Sequence, residues 1–136
     1  MYRTRIEVET TGRGLHSITT RLASCAAESH VREGLMHVFI QHTSASLTIQ
    51  ENADPRVLED LDGWFTRHVQ DGDPHFAHVE EGDDDMSAHV RSALTDVSLT
   101  IPVVAGRLAL GTWQGVFVFE HRWRPHIRRL VITVWG

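Results

Sequence analysis

Hydrophobic and polar positions alternate with a period of two where the chain begins. In YRTRIEVE, residues 2–9, Tyr2, Thr4, Ile6 and Val8 oppose Arg3, Arg5, Glu7 and Glu9, which predicts a half-buried strand. GRG at 12–14 turns the chain, and the period then lengthens. Ile18, Leu22 and Cys25/Ala26 recur at helical spacing, predicting a helix over 17–29 with the one cysteine on its apolar side. Gly34 opens a second strand, LMHVFIQ. Asp54 followed by Pro55 is a helix start, an N-cap and a proline at the first helical position. Val57, Leu58, Leu61, Trp64, Phe65 and His68 continue that helix to about Val69.

An acidic loop, DGDPHFAHVEEGDDD, follows and is long for a compact domain. Met86, Val90, Ala93, Leu94 and Val97 trace one face of a short third helix, for which Asp84 or Asp85 is the expected N-cap. From there the pattern is β: SLTIPVV, a turn at Ala105–Gly106, RLALGTWQGVFVFEHR, a turn near Arg124–Pro125, and HIRRLVITVWG. Helices between strands early and a β meander late predict one α+β domain over residues 1–136. Its sheet or sandwich should be mixed but mostly antiparallel, with about three helices.

Parity exposes an anomaly in IQHTSASLTIQENADP, residues 40–55. Met36, Val38 and Ile40 form an apolar row, and His42, Ser44, Ser46, Thr48 and Gln50 continue it with polar side chains. Either the buried face turns polar at His42, or a bulge there exchanges the faces. Both place His42 and the hydroxyls at the rim of the core; the competing reading is a polar turn and an edge strand. In LGTWQGVFVFEHR, Gln114, Val116, Val118, Glu120 and Arg122 share one face. Trp113, Phe117, Phe119 and His121 share the other, which reads as core. Glu120 ends an apolar row as His42 does. It is either the salt-bridge partner of Arg122 or Arg129, or a general acid or base with a raised pKa.

Composition narrows the chemistry. The chain has 136 residues and a net charge of −5, which argues against nucleic-acid and acidic-membrane partners. No apolar stretch approaches a bilayer's span, and MYRTRIEVET lacks a signal-peptide pattern, so a cytoplasmic protein is expected. All 13 basic residues are arginine, which excludes a lysine Schiff base and a phosphate-loop lysine. One cysteine permits neither an internal disulfide nor a paired-cysteine zinc site. No GxGxxG or GxSxG is present, so no nucleotide cofactor is expected. Ten histidines make metal chemistry worth testing. His42, His78 and His89, from a strand end, a loop and a helix, could together hold zinc or another divalent ion. Singly, His89 reads as a core-edge histidine bonded to Asp85. Arg107, after the Gly106 turn, is a candidate anion clamp or a solvated hairpin arginine.

QHTSASLTIQENADP, EGDDDMSAHVRSAL and GRLALGTWQGVFVFEHR, in this order, closely resemble the YjbQ-like family over nearly the whole chain, with GTWQ as its most distinctive signature. The resemblance implies a small cytoplasmic α+β protein assembled as a homotrimer. It also implies a thiamine-phosphate synthase-like transferase activity of the weak kind credited to some members, joining a thiazole phosphate to a pyrimidine pyrophosphate. The family's motif positions fall on His42, His78 and His89, on Thr43, Ser44 and Ser46, on Glu51 and Asn52, on Gly111, Thr112, Trp113 and Gln114, and on Glu120 and Arg122. At GDDDMSAHV the chain departs from relatives that carry an asparagine and a second histidine near His89.

Two functions follow. In one, a phosphorylated small molecule is held by Thr43, Ser44, Ser46, Asn52, Arg107, Gln114 and Arg122 beside a divalent ion, zinc or magnesium, on the three histidines. In the other, the protein binds a metal or anion and any synthase activity is incidental. A metal-dependent hydrolase with Glu120 or Glu51 as base is a further alternative. His42, His89 and Glu120 are expected to approach one another.

Overall fold

The computed structural model describes all 136 residues. The strands are β1 (Tyr2–Thr10), β2 (Gly14–Ser17), β3 (Glu33–Ile40), β4 (Ala45–Glu51), β5 (Ser98–Val104), β6 (Arg107–Leu108), β7 (Gln114–Glu120) and β8 (His126–Trp135). The helices are α1 (Thr19–Ser29), α2 (Pro55–His68) and α3 (Asp83–Leu94). All strand pairs are antiparallel. They form a five-stranded sheet in the order β1-β8-β3-β5-β6 and a three-stranded sheet in the order β2-β7-β4. The expected α+β class with three helices and antiparallel sheets is what the chain adopts.

The two sheets face each other across the main core. Val8, Met36, Val38, Ile40, Ile101, Val103, Leu130, Ile132 and Val134 come from the larger sheet, and Ala45, Leu47, Val116 and Val118 from the smaller. Ile18 and α1, through Leu22, Cys25 and Ala26, complete this core. Burial of this continuous apolar surface supplies the main folding drive, at roughly 25 cal/mol per Å² removed from water.

The anomaly at residue 42 has a simple origin. The chain leaves the larger sheet after Ile40 and enters the smaller one at Ala45. Facing sheets point their inner faces in opposite directions, so the inward row changes from Met36, Val38 and Ile40 to Ala45 and Leu47. The exchange of faces is therefore a crossing between sheets. Residues 41–44 are that crossing.

Both faces of β7 are buried. Val116 and Val118 enter the core between the sheets, whereas Phe117, Phe119 and His121 lie beneath the helical layer. Phe65 of α2 meets Phe119 edge to face, centroids 5.3 Å apart. The row expected to be the core is thus a second buried layer, and Trp113, expected within it, is 63% exposed. In α3 the chain begins earlier than expected. Gly82, at φ +100°, is the N-cap, and Asp83, Asp84 and Asp85 occupy the first turn, where the helix dipole favours carboxylates. Asp54 caps α2 as expected, its side chain accepting from the Arg56 amide.

Leu47 is fully buried between the sheets. Leu47→Ala is expected to destabilise the fold by about 2–5 kcal/mol in urea unfolding; a loss below about 1 kcal/mol would contradict this packing.

Candidate functional site

The smaller sheet, the acidic loop and the β7–β8 turn meet at one end of the sandwich. Glu120, the last residue of β7, is fully buried there. Arg128 of β8 donates Nε to its Oε1 at 2.9 Å and Nη2 to its Oε2. Thr10 of β1 donates its hydroxyl at 2.6 Å, and the amides of His121 and Arg122 also point at the carboxylate. Burial by itself would raise this carboxyl's pKa, but Arg128 and Thr10 outweigh it and hold the pKa below the ordinary value. Glu120 is therefore a fixed anion, not an acid with a raised pKa, and its partner is Arg128 rather than Arg122 or Arg129.

Arg128 also donates to the Ser44 carbonyl and hydroxyl oxygens, at 3.2 and 3.1 Å. His42 rests on the same strand, its Nε2 accepting from the Arg129 amide at 2.8 Å, while its Nδ1 lies 3.3 Å from an Arg128 nitrogen. Burial first, and Arg128 second, lower the pKa of His42. With its Nε2 lone pair committed to a backbone amide, His42 fastens the crossing segment to β8. It does not join the other two histidines. Ser46 is likewise occupied: it is fully buried, 2.8 Å from His121 Nε2, and accepts from Thr95.

His78 and His89 do converge, and the third member is Asp85. The His78 Nε2 and His89 Nε2 atoms lie 2.7 and 3.2 Å from Asp85 Oδ2. One ligand atom from each of the three residues falls within 4.8 Å of the others. His89 Nδ1 is 2.9 Å from the Thr43 carbonyl, which accepts its proton. That bond leaves the Nε2 lone pair of a neutral imidazole facing a carboxylate oxygen, a contact that needs a cation between the two atoms, either a proton or a metal ion. Asp85 is buried and accepts from Arg122 Nη1 through Oδ1 at 2.7 Å. Burial works to raise the Asp85 pKa, but His78 and Arg122 bring it below the ordinary value. Two imidazoles and one carboxylate, with the histidine tautomer set by a carbonyl, suit a borderline divalent metal.

A cleft of about 520 Å³, lined by Phe39, Ile40, Gln41, His42, Thr43, Ser44 and Val97, adjoins this trio through Thr43. The remaining expected site residues lie elsewhere. Ala45 pairs with Glu120 at one end of β4, and Glu51 pairs with Gln114 at the other, roughly 20 Å away at strand rise. There Glu51 accepts from the Asp54 amide, Asn52 donates to the Gln114 carbonyl, and the Gln114 side chain accepts from the Gly111 amide. These bonds shape the turn before β7. Arg107 is exposed beside a separate hollow with His30 and Arg32. Arg122 is buried and bound to Asp84, Asp85 and the Glu81 carbonyl.

Asp85 and Arg128 are the two central residues that pattern reading passed over as site members. Asp85 stands four before His89 on one helix. Arg128 shares its parity with Leu130, Ile132 and Val134, a charge on an inward row just as Glu120 is.

Known proteins share the sequence and the fold of this chain. Residues 4–136 match the family described as UPF0047 protein YjbQ-like. The chain belongs to that family. A UPF0047 protein of Synechocystis is 51% identical over 129 residues, covering 95% of this chain and 88% of that protein. The UPF0047 protein YjbQ of Escherichia coli O157:H7 is 40% identical over 136 residues, covering 99% and 98%. Among solved structures, a conserved hypothetical protein of Thermus thermophilus superposes with TM-score 0.87 at 35% identity, over 97% of this chain and 99% of that one. An uncharacterized YjbQ/UPF0047 protein of Clostridium acetobutylicum gives 0.89 at 30%, over 97% and 99%. No helix here is long and apolar enough to cross a membrane.

His121 is fully buried, and burial, then the nearby Arg91, Arg13 and Arg128, depress its pKa to about 3. The unfolded chain binds this proton near pH 6.5 and the folded chain does not, so stability is complete above about 6.5 and falls below it. The expected slope is about 1.4 kcal/mol per pH unit between about pH 6 and 4.5 for this group. Urea unfolding across that range should show His121→Gln with a shallower acid dependence than the parent; equal slopes would refute the assignment.

Proposed function

We propose that this YjbQ-like protein is a divalent-metal protein acting on a phosphorylated small molecule. His78, Asp85 and His89 would hold the ion, with coordination positions left for a ligand oxygen. The observation that carries this reading is the pair of histidine nitrogens turned onto one oxygen of a buried carboxylate, with Thr43 fixing the ring of His89. A bound divalent ion supplies Lewis-acid polarisation of a phosphoryl oxygen.

The chain's own residues then divide the work. Ser44 Oγ accepts from Arg128 and keeps its proton to donate to an anion in the cleft. Phe39 and Val97 give that cleft an apolar wall. Arg122 and Arg128 are neutralised by carboxylates, and Arg107 lies apart, so an arginine clamp on phosphate has little support. Anion recognition falls instead to the metal and the hydroxyls. The hydrolase alternative loses its proposed bases, because Glu120 is locked to Arg128 and Glu51 sits at the far end of β4. Joining a thiazole phosphate to a pyrimidine pyrophosphate needs no such base: the thiazole nitrogen forms the new C–N bond with its own lone pair as the methylene C–O bond breaks and pyrophosphate leaves with that bond's electrons. The synthase-like transfer is therefore the favoured activity.

The functional unit would be a homotrimer. The outer face of the five-stranded sheet exposes Leu35, Phe39, Val104, Ile127 and Trp135, large apolar side chains that contacts between subunits would cover.

Chelator-stripped protein titrated with zinc should bind one ion per chain, and His89→Ala and Asp85→Ala should bind at least about tenfold more weakly while keeping native circular dichroism. Variants that bind like the parent would sink the site. The metal-loaded protein should form thiamine phosphate from the thiazole phosphate and pyrimidine pyrophosphate pair, and a screen with no turnover on any phosphorylated metabolite would reject the enzymatic reading. Light scattering should give three chain masses, with Ile127→Glu shifting the protein toward monomer; a monomeric parent would exclude the trimer.

A further inference from the structure

We infer that Arg122 is a specificity-determining residue of the metal site: by occupying Asp85 Oδ1 it restricts Asp85 to one donor oxygen and so selects zinc-like ions over oxygen-seeking ones. This rests on the metal reading of His78, Asp85 and His89, and it gives Arg122 a different role from the anion contact expected from sequence.

The geometry is specific. Arg122 is buried, and each side of its guanidinium has a separate acceptor. Nη1 donates to Asp85 Oδ1 at 2.7 Å, Nε to Asp84 Oδ2 at 3.1 Å and Nη2 to the Glu81 carbonyl at 2.9 Å. The Trp123 amide holds the same Asp84 oxygen at 2.9 Å, so the arginine cannot swing aside without breaking a fixed anchor. Asp85 Oδ2 alone is turned toward the two histidines.

Three consequences follow for an ion in that place. Asp85 cannot bind through both oxygens while Arg122 holds one of them. The guanidinium offsets the carboxylate's charge, leaving two neutral imidazoles as the main source of affinity. Magnesium, calcium and manganese gain most from many oxygen donors and from ligand charge, and both are withheld here. Zinc and similar borderline ions gain from imidazole nitrogen and accept few ligands. Lysine would not reproduce this, because one ammonium cannot satisfy Asp84 and Asp85 in the fixed fork that arginine presents.

The test measures zinc and manganese dissociation constants, by competition with a fluorescent chelator, for the parent protein, Arg122→Met, Arg122→Lys and Trp123→Phe. Trp123→Phe removes the indole's bond to Asp71 in the same loop but leaves every Arg122 contact in place. The ratio of zinc to manganese affinity should fall at least tenfold in Arg122→Met and at least threefold in Arg122→Lys. Trp123→Phe should lower the melting temperature and leave the ratio unchanged. If Arg122→Met does not fold, the Arg122→Lys ratio decides. A ratio within twofold of the parent in the Arg122 variants, or an equal fall in Trp123→Phe, overturns the role of Arg122 alone. A parent protein that binds no zinc removes the metal reading and this inference together.

Discussion

The buried ion pair between Glu120 and Arg128 ties the architecture together. It joins the last residue of β7, in the smaller sheet, to β8, inside the larger one between β1 and β3. Thr10 of β1 completes it from the side. Two sheets packed only through apolar side chains could slide or splay at their ends. A charge pair with further hydrogen bonds on both partners cannot shift without leaving a charge unpaired, at a cost of about 3–5 kcal/mol. The segment at 41–44 that crosses between the sheets is built onto this pair. Ser44 takes two bonds from Arg128, and His42 takes the next amide along the same strand.

That crossing is also where the fold meets His78, Asp85 and His89. The Thr43 carbonyl, presented by the crossing, orients His89 on α3, and Arg122, two residues beyond Glu120, fastens Asp85. Asp71 secures the other side of the acidic loop. It accepts from Arg13, Ser87 and the Trp123 indole, and although burial opposes ionisation, these donors hold its pKa at about 2. The loop carrying His78 is thus tied at both ends. Its length does not make the histidine's position loose, because each anchor is a charge-assisted bond in a partly dry setting.

Pattern alone located β1, β3, β5, β8 and the three helices closely, because alternation, helical spacing and the Asp54–Pro55 start are local signals; it passed over the short β2 and ran β6 and β7 together. It also marked His42, Ser44, Glu120 and Arg122 as polar side chains at the ends of apolar rows, and the structure places all four at one end of the sandwich. The roles it assigned them were less secure. His42 is expected as a metal ligand and is found bonded to a backbone amide. Glu120 is expected to carry a proton or to pair with Arg122 or Arg129, and it pairs with Arg128. His42 and Glu120 do approach one another, with Arg128 between them, and His89 reaches the same segment through Thr43.

The sequence by itself determined most of the element order, the absence of lysine and cysteine-pair chemistry, and the family, since each of these is written in local order or composition. Only the tertiary structure decided which charges neutralise one another and which are left for a ligand. Arg122 and Arg129 were equally good partners for Glu120 on paper; the packing of β8 against β7 aims Arg128 inward instead. Asp85, a candidate cap by sequence, lies in the first turn of α3 behind the Gly82 N-cap, where its carboxylate meets two histidines. The distance between Glu51 and His42 is short in sequence and long in space because β4 is extended. Ion pairing and coordination depend on distances of a few ångströms across elements, and no one-dimensional pattern encodes those.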